Sequence, residues 1–371
     1  MSQLRILEVA ESLGSGVLGV VTPLSQRLAA AGHAVALAYG ERPETPPDVE
    51  AVVGPGIELF ALPWRRRTPR EHVAAARMLR QVVDDWRPDV VHLHSSFTGV
   101  VGVLSVGDRA PIVYTPHGYS FARSSDARAK RRLYAAIERF VARRATLVGA
   151  VSESEAAQAR DVARAPRVAV VANGIPALDA PGPAPDRERP RVVAMGRADA
   201  SRQPDAAGRI LARLTDVADV RWIGGGTDSD AGLRALAAHG VPATGWLSHA
   251  DAAAELAAAT ALLHWSAWDA QPLAVLEALA ADVVVVASDI PANREIVGAR
   301  QVCSAEEDAV ALLRGVLLDP ALRERMLERQ RERRGRFSAD RMARDWEAIY
   351  VRLAGAAAAD SREETGELVA H

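Results

Sequence analysis

Short apolar runs alternate with amphipathic segments along most of the chain. The apolar runs hold four to six residues, mostly Val, Leu, Ile and Ala, which is the length and composition of buried strands. The longer segments between them repeat apolar residues at helical spacing, and this alternation is typical of a parallel sheet with helical crossovers. In the first half, the predicted strands are residues 5–9, 34–38, 58–62, 90–94, 112–116, 146–151 and 168–171. The predicted helices between them are residues 17–31, 70–86, 128–144 and 154–163.

The pattern breaks at residues 176–190, where five prolines occur without periodicity, and then restarts. Such a stretch predicts a linker between domains. The strands predicted after it are residues 191–194, 220–223, 261–264 and 283–287. The predicted helices are residues 206–214, 229–238, 250–258 and 273–280, followed by a charged helical tail over 306–355.

The sequence therefore predicts an α/β fold class with two doubly wound, Rossmann-like domains that face each other across a cleft. The first domain is predicted over residues 1–175, the linker over 176–190 and the second domain over 191–337. The composition of residues 356–371 predicts a disordered tail. In open α/β sheets ligands bind beyond the carboxyl ends of the strands, so the residues that follow the strands are the candidates for a binding site.

Composition narrows the class of protein. The 371 residues suffice for two domains of ordinary size, and a net charge of -2 gives no indication of a nucleic-acid partner. The single cysteine, Cys303, excludes an internal disulfide and favours a cytoplasmic location. The chain enters a strand pattern at once, without the layout of a signal peptide, and no apolar run approaches the ~20 residues that span a bilayer.

Two motifs of the first half follow predicted strands. Gly14-Ser15-Gly16 opens the first helix, where glycines let the backbone approach a ligand and the helix N-terminus offers free N–H groups. A plain strand-to-helix turn is the alternative interpretation. His117 follows the fifth strand, between a proline and a glycine that restrict the backbone. Its imidazole could bond a hydroxyl group or shield a developing positive charge.

His92 and His94 end the fourth strand and face the same side of it, because side chains alternate along a strand. The spacing could make a metal-binding pair, but no third ligand of matching strength lies nearby in the sequence. We therefore predict hydrogen-bonded histidines at a strand end, and no metal site.

Three motifs of the second half suit a diphosphate and a base. Arg197 and Arg202 lie five residues apart in the loop after the first strand, where they can pinch a diphosphate with bidentate hydrogen bonds. A solvated basic loop is the alternative. Gly225 lies in a Gly-rich turn after the next strand, and Trp246 follows a further turn.

The acids Asp269 and Glu277 lie eight residues apart, across a turn and into an apolar helix that begins at Leu273. A buried strand follows, so both acids are predicted at the mouth of the sheet. Carboxylates are good acceptors for the hydroxyl pairs of a ribose or a hexose. Solvent-facing acids at a helix start, interacting with the helix dipole, are the alternative.

In order and spacing, these motifs resemble those of family 4 of the retaining GT-B glycosyltransferases, from Gly14 to Val297. The acids resemble the family's pair of glutamates eight residues apart, with Asp269 in place of the first. Arg202 stands where Lys is usual, and Asp282 stands where a Gly usually follows the helix. The resemblance implies the GT-B architecture, a nucleotide-sugar donor and a hydroxyl acceptor. It implies neither cofactor nor metal, because the two Arg would neutralise the leaving diphosphate.

The resemblance also implies roles for single residues. His117 and Asp269 are expected at the donor sugar as the catalytic residues, and Glu277 is expected to hold the ribose hydroxyls. The other donor-binding residues that it implies are Gly16, Arg197, Arg202, Gly225, Trp246 and Leu273. A helix over residues 338–355 is expected to cross back to the first domain, as in relatives. The run from Thr115 to Phe121 resembles that of members that build polysaccharides, which implies a role in polysaccharide or glycoconjugate biosynthesis.

Residues 123–144 hold eight basic and two acidic residues, and Trp64 leads a second cluster with three Arg. Such a face suits anionic lipid head groups, although a solvated helix face is the commoner outcome. Peripheral membrane contact would bring a lipid-linked glycan acceptor to the enzyme. Three alternatives to polysaccharide assembly stay open: a sugar-nucleotide 2-epimerase, a non-catalytic partner subunit, and decoration of a small metabolite.

Overall fold

The computed structural model describes residues 3–123, 126–176, 189–226 and 230–369. The described chain forms two compact units. The first unit holds the residues up to Phe121, Ala127–Pro176 and the chain from Ala339 onwards. The second unit holds Ala122–Asp126 and the described residues between Pro176 and Ala339. Most of the expected linker, residues 177–188, lies outside the described residues.

The first unit carries one parallel sheet flanked by helices. Its strands are β1 (Arg5–Ala10), β2 (Ala34–Gly40), β3 (Ile57–Leu62), β4 (Val90–His94), β5 (Ile112–Thr115), β6 (Leu147–Ala150) and β7 (Val168–Val170). Its helices are α1 (Ser15–Ala30), α2 (Val49–Val53), α3 (Pro69–Trp86), α4 (Ser96–Val106), α5 (Arg128–Arg144), α6 (Glu153–Asp161) and α14 (Ala339–Val369). The strand order is β3-β2-β1-β4-β5-β6-β7.

The second unit repeats the same plan with a smaller parallel sheet. Its strands are β8 (Arg191–Met195), β9 (Asp219–Ile223), β10 (Ala261–His264), β11 (Val284–Ser288) and β12 (Val302–Cys303). Its helices are α7 (Pro204–Ala212), α8 (Ala231–Ala238), α9 (His249–Ala257), α10 (Leu273–Ala280), α11 (Pro291–Val297), α12 (Glu306–Leu318) and α13 (Pro320–Arg334). The strand order is β12-β11-β10-β8-β9. The two parallel α/β sheets confirm the predicted fold class.

The central strands are buried on both faces, as continuous apolar runs in parallel sheets require. Ile6, Leu7 and Val9 of β1 have no exposed surface. Glu8 lies among them and is equally buried, in register with His92 of β4. A charged residue type inside a central strand is rare and calls for a partner. The first unit therefore builds polar chemistry into the middle of its sheet.

Helix α4 is absent from the sequence prediction. Most of its residues are apolar, β-branched or Gly, and it is buried on most sides, so it lacks the one-sided periodicity by which a surface helix is recognised. A Cβ on Gly99 would lie 2.6 Å from the Tyr114 ring, and one on Gly102 would lie 2.5 Å from Leu93. Glycine thus serves close helix-to-sheet packing here. The elements α2, α11 and β12 were also not predicted, because they are too short to show a period.

Helix α14 packs on α1 and β4 of the first unit. His33 Nε2 lies 3.1 Å from Glu347, and a Cβ on Gly149 would lie 2.3 Å from the Trp346 ring. The helix continues to Val369, through a segment whose composition predicts disorder. Residues 356–359 are four consecutive alanines, and alanine has the highest helix propensity. In the described chain, none of the helices combines the length and apolarity needed to cross a membrane.

Candidate active site

Two glycine turns meet at the carboxyl edge of the second sheet. Gly196 follows β8 with φ 132° and Gly224 follows β9 with φ 129°, a region that side chains disfavour. A Cβ on Gly224 would lie 2.2 Å from the Gly196 carbonyl oxygen. Gly196 N donates to the Ile223 carbonyl at 2.9 Å, and Trp222 Nε1 donates to the Gly196 carbonyl at 2.9 Å. The two turns are therefore fixed against each other, and any residue larger than glycine would separate them.

Trp246 lies over the second of these turns. A Cβ on Gly225 would lie 2.3 Å from Trp246 Nε1, so the indole rests directly on the glycine backbone. The side chain remains 60% exposed, and the exposed Arg197 places its guanidinium carbon 6.0 Å from the ring centroid. An exposed indole beside a guanidinium offers a stacking face for a planar base and a cation for an anion.

The structure joins two of the predicted residues in one ion pair. Arg202 Nη1 donates to Asp269 Oδ2 at 2.5 Å and to Ser266 Oγ at 3.0 Å. Asp269 Oδ1 accepts the N–H of Ala270 at 2.9 Å. The pair is largely buried, with 22% of the Arg202 side chain and 15% of the Asp269 side chain exposed. Both groups are thereby held in one arrangement at the carboxyl end of β10.

His264, the last residue of β10, completes this cluster. Its Nε2 lies 3.1 Å from Ser266 Oγ and 3.7 Å from Asp269 Oδ2. Burial raises the pKa of the Asp269 carboxyl, but the Arg202 charge and the hydrogen bonds of His264 and Arg202 outweigh burial and lower that pKa to about 2. Burial lowers the pKa of His264. Asp269 is therefore an anion over the whole physiological range.

The second acid lies on α10. Leu273 begins this helix after Pro272, and Glu277 follows one turn later, half-buried. Burial raises the pKa of Glu277, and the nearby His249 opposes the rise. Asp282 follows α10 in the left-handed conformation, with φ 55°, as expected where a glycine is usual. Its carboxylate pairs with Arg331 at 3.2 Å and with Arg334 at 3.3 Å.

In the first unit, the glycine turn before α1 is open. A Cβ on Gly14 would lie 2.7 Å from Glu44 Cγ, whereas Gly16 is exposed with nothing within 4 Å of its Cβ position. The N–H groups of the first helical turn are therefore approachable at Gly16.

His117 lies just beyond β5 in an uncommon conformation. Its φ is 52°, and Gly118 follows with φ 103°. The N–H of Gly118 donates to Glu155 Oε1 at 2.6 Å, which holds the turn. Non-glycine residues with positive φ are costly and concentrate at functional sites. The ring is half-buried, and its Nε2 lies 2.8 Å from Nδ1 of His94.

His92 and His94 are buried and fully hydrogen-bonded, which confirms that part of the prediction. His92 bonds the Tyr350 hydroxyl at 2.6 Å and the Thr115 hydroxyl at 2.8 Å, and His94 Nε2 lies 2.6 Å from Glu8 Oε2. No third ligand of matching strength lies near this pair in the sequence, but the fold brings a carboxylate to it. Glu8 comes from β1, far away in sequence, and its carboxylate lies within 4.8 Å of both imidazoles.

Burial decides the charges in this cluster. It raises the pKa of Glu8 to about 8, although the hydrogen bond from Tyr350 opposes the rise. It lowers the pKa of His94 to about 3, and it lowers those of His92 and His117 well below their ordinary value. In the described chain no Lys or Arg pairs with Glu8. The cluster is therefore uncharged at neutral pH.

Trp64 does not lie on the basic surface. It is fully buried, and its Nε1 donates to His72 Nδ1 at 2.8 Å. The expected aromatic contact with lipid is thus wrong for Trp64, because its ring is packed in the core and its N–H group already has a hydrogen-bond partner. Of the neighbouring arginines, Arg67 pairs with Glu11 at 2.9 Å and Arg65 with Glu41 at 2.9 Å.

The profile of the glycosyl transferase 4-like domain matches residues 15–174, and that of the group 1 glycosyl transferases matches residues 189–318. The chain belongs to family 4 of the GT-B glycosyltransferases. It is therefore an enzyme of sugar transfer from nucleotide sugars. No curated protein sequence matches this glycosyltransferase significantly.

Several solved structures share its fold. Sucrose-phosphate synthase from Thermosynechococcus elongatus gives a TM-score of 0.79 at 19% identity, covering 95% of this chain and 100% of its own. HepE from Anabaena, solved with UDP and glucose, gives a TM-score of 0.76 at 15% identity, and the match covers 95% of this chain and 100% of HepE. WaaG, a glycosyltransferase involved in lipopolysaccharide biosynthesis, gives 0.71 at 16% identity, with coverages of 93% and 99%. This likeness establishes the GT-B fold.

Four polar residues of these clusters escaped the sequence analysis: Glu8, Tyr350, His264 and Ser266. One sequence signal could have found Glu8, because a single acid inside an otherwise apolar strand requires a buried partner. Tyr350 is 342 residues from Glu8 in sequence and carries no local signal. Contacts of this kind depend on the packing of α14 onto the sheet.

Proposed function

We propose that this glycosyltransferase is a retaining enzyme that moves a hexose from a UDP-sugar to a hydroxyl acceptor in bacterial polysaccharide or glycoconjugate biosynthesis. The observation that carries the proposal is the Arg202–Asp269 pair at 2.5 Å, in which Arg202 shares the loop after β8 with Arg197 and Asp269 lies in the loop after β10. Structures of HepE hold UDP-glucose, and a trehalose-6-phosphate enzyme of the same fold holds UDP-2-fluoro glucose. These relatives favour uridine as the base.

The donor is assigned to the second unit residue by residue. Arg197 and Arg202 bind the diphosphate, since guanidinium groups match phosphate oxygens bidentately. The exposed face of Trp246, above Gly225, stacks on the base, and Glu277 accepts the ribose hydroxyls. Leu273 begins the helix that carries Glu277, and in the first unit Gly16 is proposed to offer its backbone N–H groups to the substrate. Two Arg on the diphosphate supply the charge that a divalent metal would otherwise supply, so we propose metal-independent transfer.

Retention is proposed to occur by front-face attack. The bond between the sugar's anomeric carbon and the diphosphate oxygen breaks, the acceptor oxygen bonds that carbon on the same face, and the acceptor's proton passes to the leaving diphosphate. Asp269 is a poor nucleophile for a two-step route, because Arg202 and the Ala270 N–H already engage its carboxylate. Asp269 instead positions Arg202 and accepts a hydrogen bond from a hydroxyl group of the sugar. His117 is proposed to contact the transferring sugar.

A thermal-shift screen tests the donor assignment. The enzyme is mixed with UDP-, GDP-, ADP- and dTDP-sugars in EDTA, and a donor at ~100 times its Kd adds about 2.7 kcal/mol of stability. We expect a shift with UDP-sugars alone, and one reduced by Trp246→Ala and by Arg197→Ala. Trp268→Ala, at the partly buried ring beneath Arg123, is the matched aromatic control. The anomeric configuration of the product, read by NMR, then tests retention.

The alternatives predict other outcomes. A 2-epimerase would convert the UDP-sugar into its 2-epimer without an acceptor and without net release of UDP. A non-catalytic subunit would show no donor shift at all, which would contradict the proposal. A glycosyltransferase that decorates small metabolites would bind UDP-sugar and reject polymer or lipid-linked acceptors, so an acceptor panel separates that case.

A peripheral membrane contact is proposed for α5. The exposed residues of this helix include Arg128, Arg132, Arg143 and Leu133, the last of which is 59% exposed. A basic face with an exposed apolar residue suits the anionic inner leaflet, where each basic residue contributes about 1 kcal/mol. We expect salt-sensitive co-sedimentation with vesicles of anionic lipid, lost in an Arg128→Glu, Arg132→Glu variant. Binding that is absent at low salt would contradict this cytoplasmic-face contact.

A further inference from the structure

A continuous chain of hydrogen bonds links a buried carboxyl group to His117. Glu8 Oε2 of β1 lies 2.6 Å from His94 Nε2 of β4. Nδ1 of the same imidazole lies 2.8 Å from His117 Nε2 beyond β5. His94 has 1% of its side chain exposed and Glu8 has none, so water does not interrupt the chain. In the described chain, Nδ1 of His117 has no hydrogen-bond partner, and it is the free end of this series.

The protons in such a chain are fixed by counting. A neutral imidazole donates from one nitrogen and accepts at the other. If Glu8 is ionised, it accepts from His94 Nε2, so His94 Nδ1 must accept from His117 Nε2. Nδ1 of His117 is then an acceptor. If Glu8 is protonated on Oε2, the oxygen that faces His94, it donates to His94 Nε2, His94 Nδ1 donates to His117 Nε2, and Nδ1 of His117 carries the proton.

We propose that Glu8 and His94 are positioning residues that set the tautomer of His117, which is a hydrogen-bond donor while Glu8 is protonated and an acceptor once Glu8 is ionised. The inference rests on the proposed function in one respect, the contact of His117 with the sugar. The tautomer coupling itself needs no substrate. One proton lost at Glu8 therefore reverses the polarity of the hydrogen bond that His117 offers.

The surroundings favour this tautomer exchange over charging of the imidazoles. Burial holds the pKa of His94 at about 3, so an imidazolium is not a stable state of the middle ring. Glu8 is faced by the Tyr350 hydroxyl of α14 at 3.3 Å and by His92 Nδ1 at 3.4 Å, and neither carries charge at neutral pH. Around His117, the titratable neighbours are His94, His92 and Glu155, the last of which is bound to the Gly118 N–H. Glu8 is therefore the group whose ionisation drives the exchange, near pH 8.

The consequence for catalysis is a choice of sugar contact. Below the pKa of Glu8, His117 Nδ1 donates to an oxygen of the sugar, and above that pKa it can only accept. A contact that needs the donor form weakens about tenfold per pH unit above the pKa. Activity through His117 should accordingly fall on the alkaline side.

The direct test is nitrogen-15 NMR of the enzyme with labelled histidine and without substrate. Ring nitrogens with and without a proton resonate at different frequencies, and the His117 signals are assigned by their loss in His117→Asn. Spectra are recorded from about pH 6 to about pH 10, either side of the Glu8 pKa. We expect the His117 nitrogens to exchange protonated and unprotonated character near pH 8 while the ring stays neutral. A His117 tautomer that is constant over this range overturns the proposal.

Two variants separate Glu8 from general effects of alkali. Glu8→Gln should leave the His117 signals independent of pH. Glu138→Gln is the matched control, because Glu138 is a second buried acid of the same unit, bonded to Ser96 and Tyr114 and outside the chain of hydrogen bonds. Glu138→Gln should retain the wild-type response. A pH response of His117 that persists in a folded Glu8→Gln variant would contradict the relay, by which we mean the series Glu8–His94–His117.

Kinetics then distinguish this inference from the proposed function. If UDP-sugar is turned over, the alkaline limb of kcat/KM should be present in the wild type and in Glu138→Gln but absent in Glu8→Gln. Turnover with identical limbs in all three proteins would overturn the relay and leave the proposed function standing. A tautomer exchange without any turnover would leave the relay standing and overturn the function.

Discussion

Each unit of this glycosyltransferase places a buried acid beside a histidine at its sheet, and the two acids differ in charge. Glu8 of the first unit has no cationic partner in the described chain, and burial raises its pKa to about 8. Asp269 of the second unit is also buried, yet Arg202 at 2.5 Å lowers its pKa to about 2. One cation within hydrogen-bond distance thus reverses the outcome of burial.

The difference suits different tasks. A fixed ion pair holds a phosphate-binding guanidinium in place without changing its own charge, which is what the proposed donor site requires. An uncharged carboxyl hydrogen-bonded to an imidazole instead holds a proton at a defined atom, and it becomes a buried ion only when that proton is lost near pH 8. The second unit is therefore built for electrostatic binding and the first for proton position.

Removing the Arg202 cation should abolish the difference in charge between Asp269 and Glu8, and this variant has the largest expected effect. Arg202→Met leaves Asp269 as a largely buried acid without its partner, and breaking such a pair costs about 3–5 kcal/mol. The pKa of Asp269 should rise, and turnover should fall by about 10²–10³-fold, as when a transition-state donor is lost. Denaturant unfolding and steady-state kinetics measure both effects.

Arg294→Met is the control for this variant. Arg294 pairs with Asp289 in the same unit, but half of its side chain is exposed, so its loss should change stability by less than about 1 kcal/mol. An Arg202→Met enzyme that binds UDP as tightly as the wild type would remove the ion pair from the proposed donor site.

The acid of the first unit should show itself in the pH dependence of stability. The folded pKa of Glu8, about 8, exceeds its ordinary value of 4.5, so the folded state binds more protons between these values. Stability contributed by this group is therefore lost as pH rises from about 4.5 to about 8. The histidines act oppositely: the pKa of His94 falls from 6.5 to about 3, and stability is lost as pH falls through that window.

We expect the free energy of unfolding of the first unit to peak at mildly acidic to neutral pH, and Glu8→Gln to remove the decline toward pH 8. The difference between the variant and the wild type should be on the order of a few kcal/mol at pH 8 and small near pH 5. Guanidinium unfolding at several pH values measures it. A parallel pH dependence of variant and wild type would mean that Glu8 is ionised in the fold.

The ion pair itself brings together two departures from the family pattern. Asp269 is one CH2 shorter than the usual Glu, and Arg202 is longer than the usual Lys, so we expect each to compensate for the other. Asp269→Glu and Arg202→Lys should each lower donor affinity about tenfold, and the double variant should recover most of it. The coupling energy in the cycle should be about 0.5–3 kcal/mol. Additive losses would show that the two departures are independent.

The sheets could be predicted from the sequence because buried parallel strands are continuous apolar runs between periodic helices. β1, β4, β10 and β11 have such runs, and the structure confirms them within one or two residues. Helix α4 could not be predicted, since a helix buried on most sides has no amphipathic period. Helix α14 continues beyond residue 355, where the composition predicts disorder, because the alanines at 356–359 favour helix.

The candidate site also has a part that could be predicted from the sequence and a part that could not. Arg202 and Asp269 could be proposed from loop position and residue type, since both follow strands that end at one edge. Their pairing with each other could not, because it depends on side-chain reach across 67 residues of sequence. The relay partners of His117 are Glu8 of β1 and His94 of β4, and only the assembled sheet brings them within hydrogen-bond distance.

A third acid, Asp282, extends the comparison to the surface and carries the smallest expected effect. It pairs with Arg331 and Arg334, but 30% of its side chain is exposed, and such pairs contribute at most about 1 kcal/mol. Its φ of 55° costs a non-glycine residue a comparable amount. Asp282→Gly should therefore stabilise the second unit by less than about 1 kcal/mol, because relief of the backbone slightly exceeds the lost pairing.

Asp282→Asn removes the charge but keeps a residue that tolerates this conformation, so it should be neutral to slightly destabilising. If Asp282→Gly instead lost more than about 1 kcal/mol in thermal unfolding, the exposed carboxylate would be as strongly coupled to its cations as Asp269 is, and burial would not be what separates them.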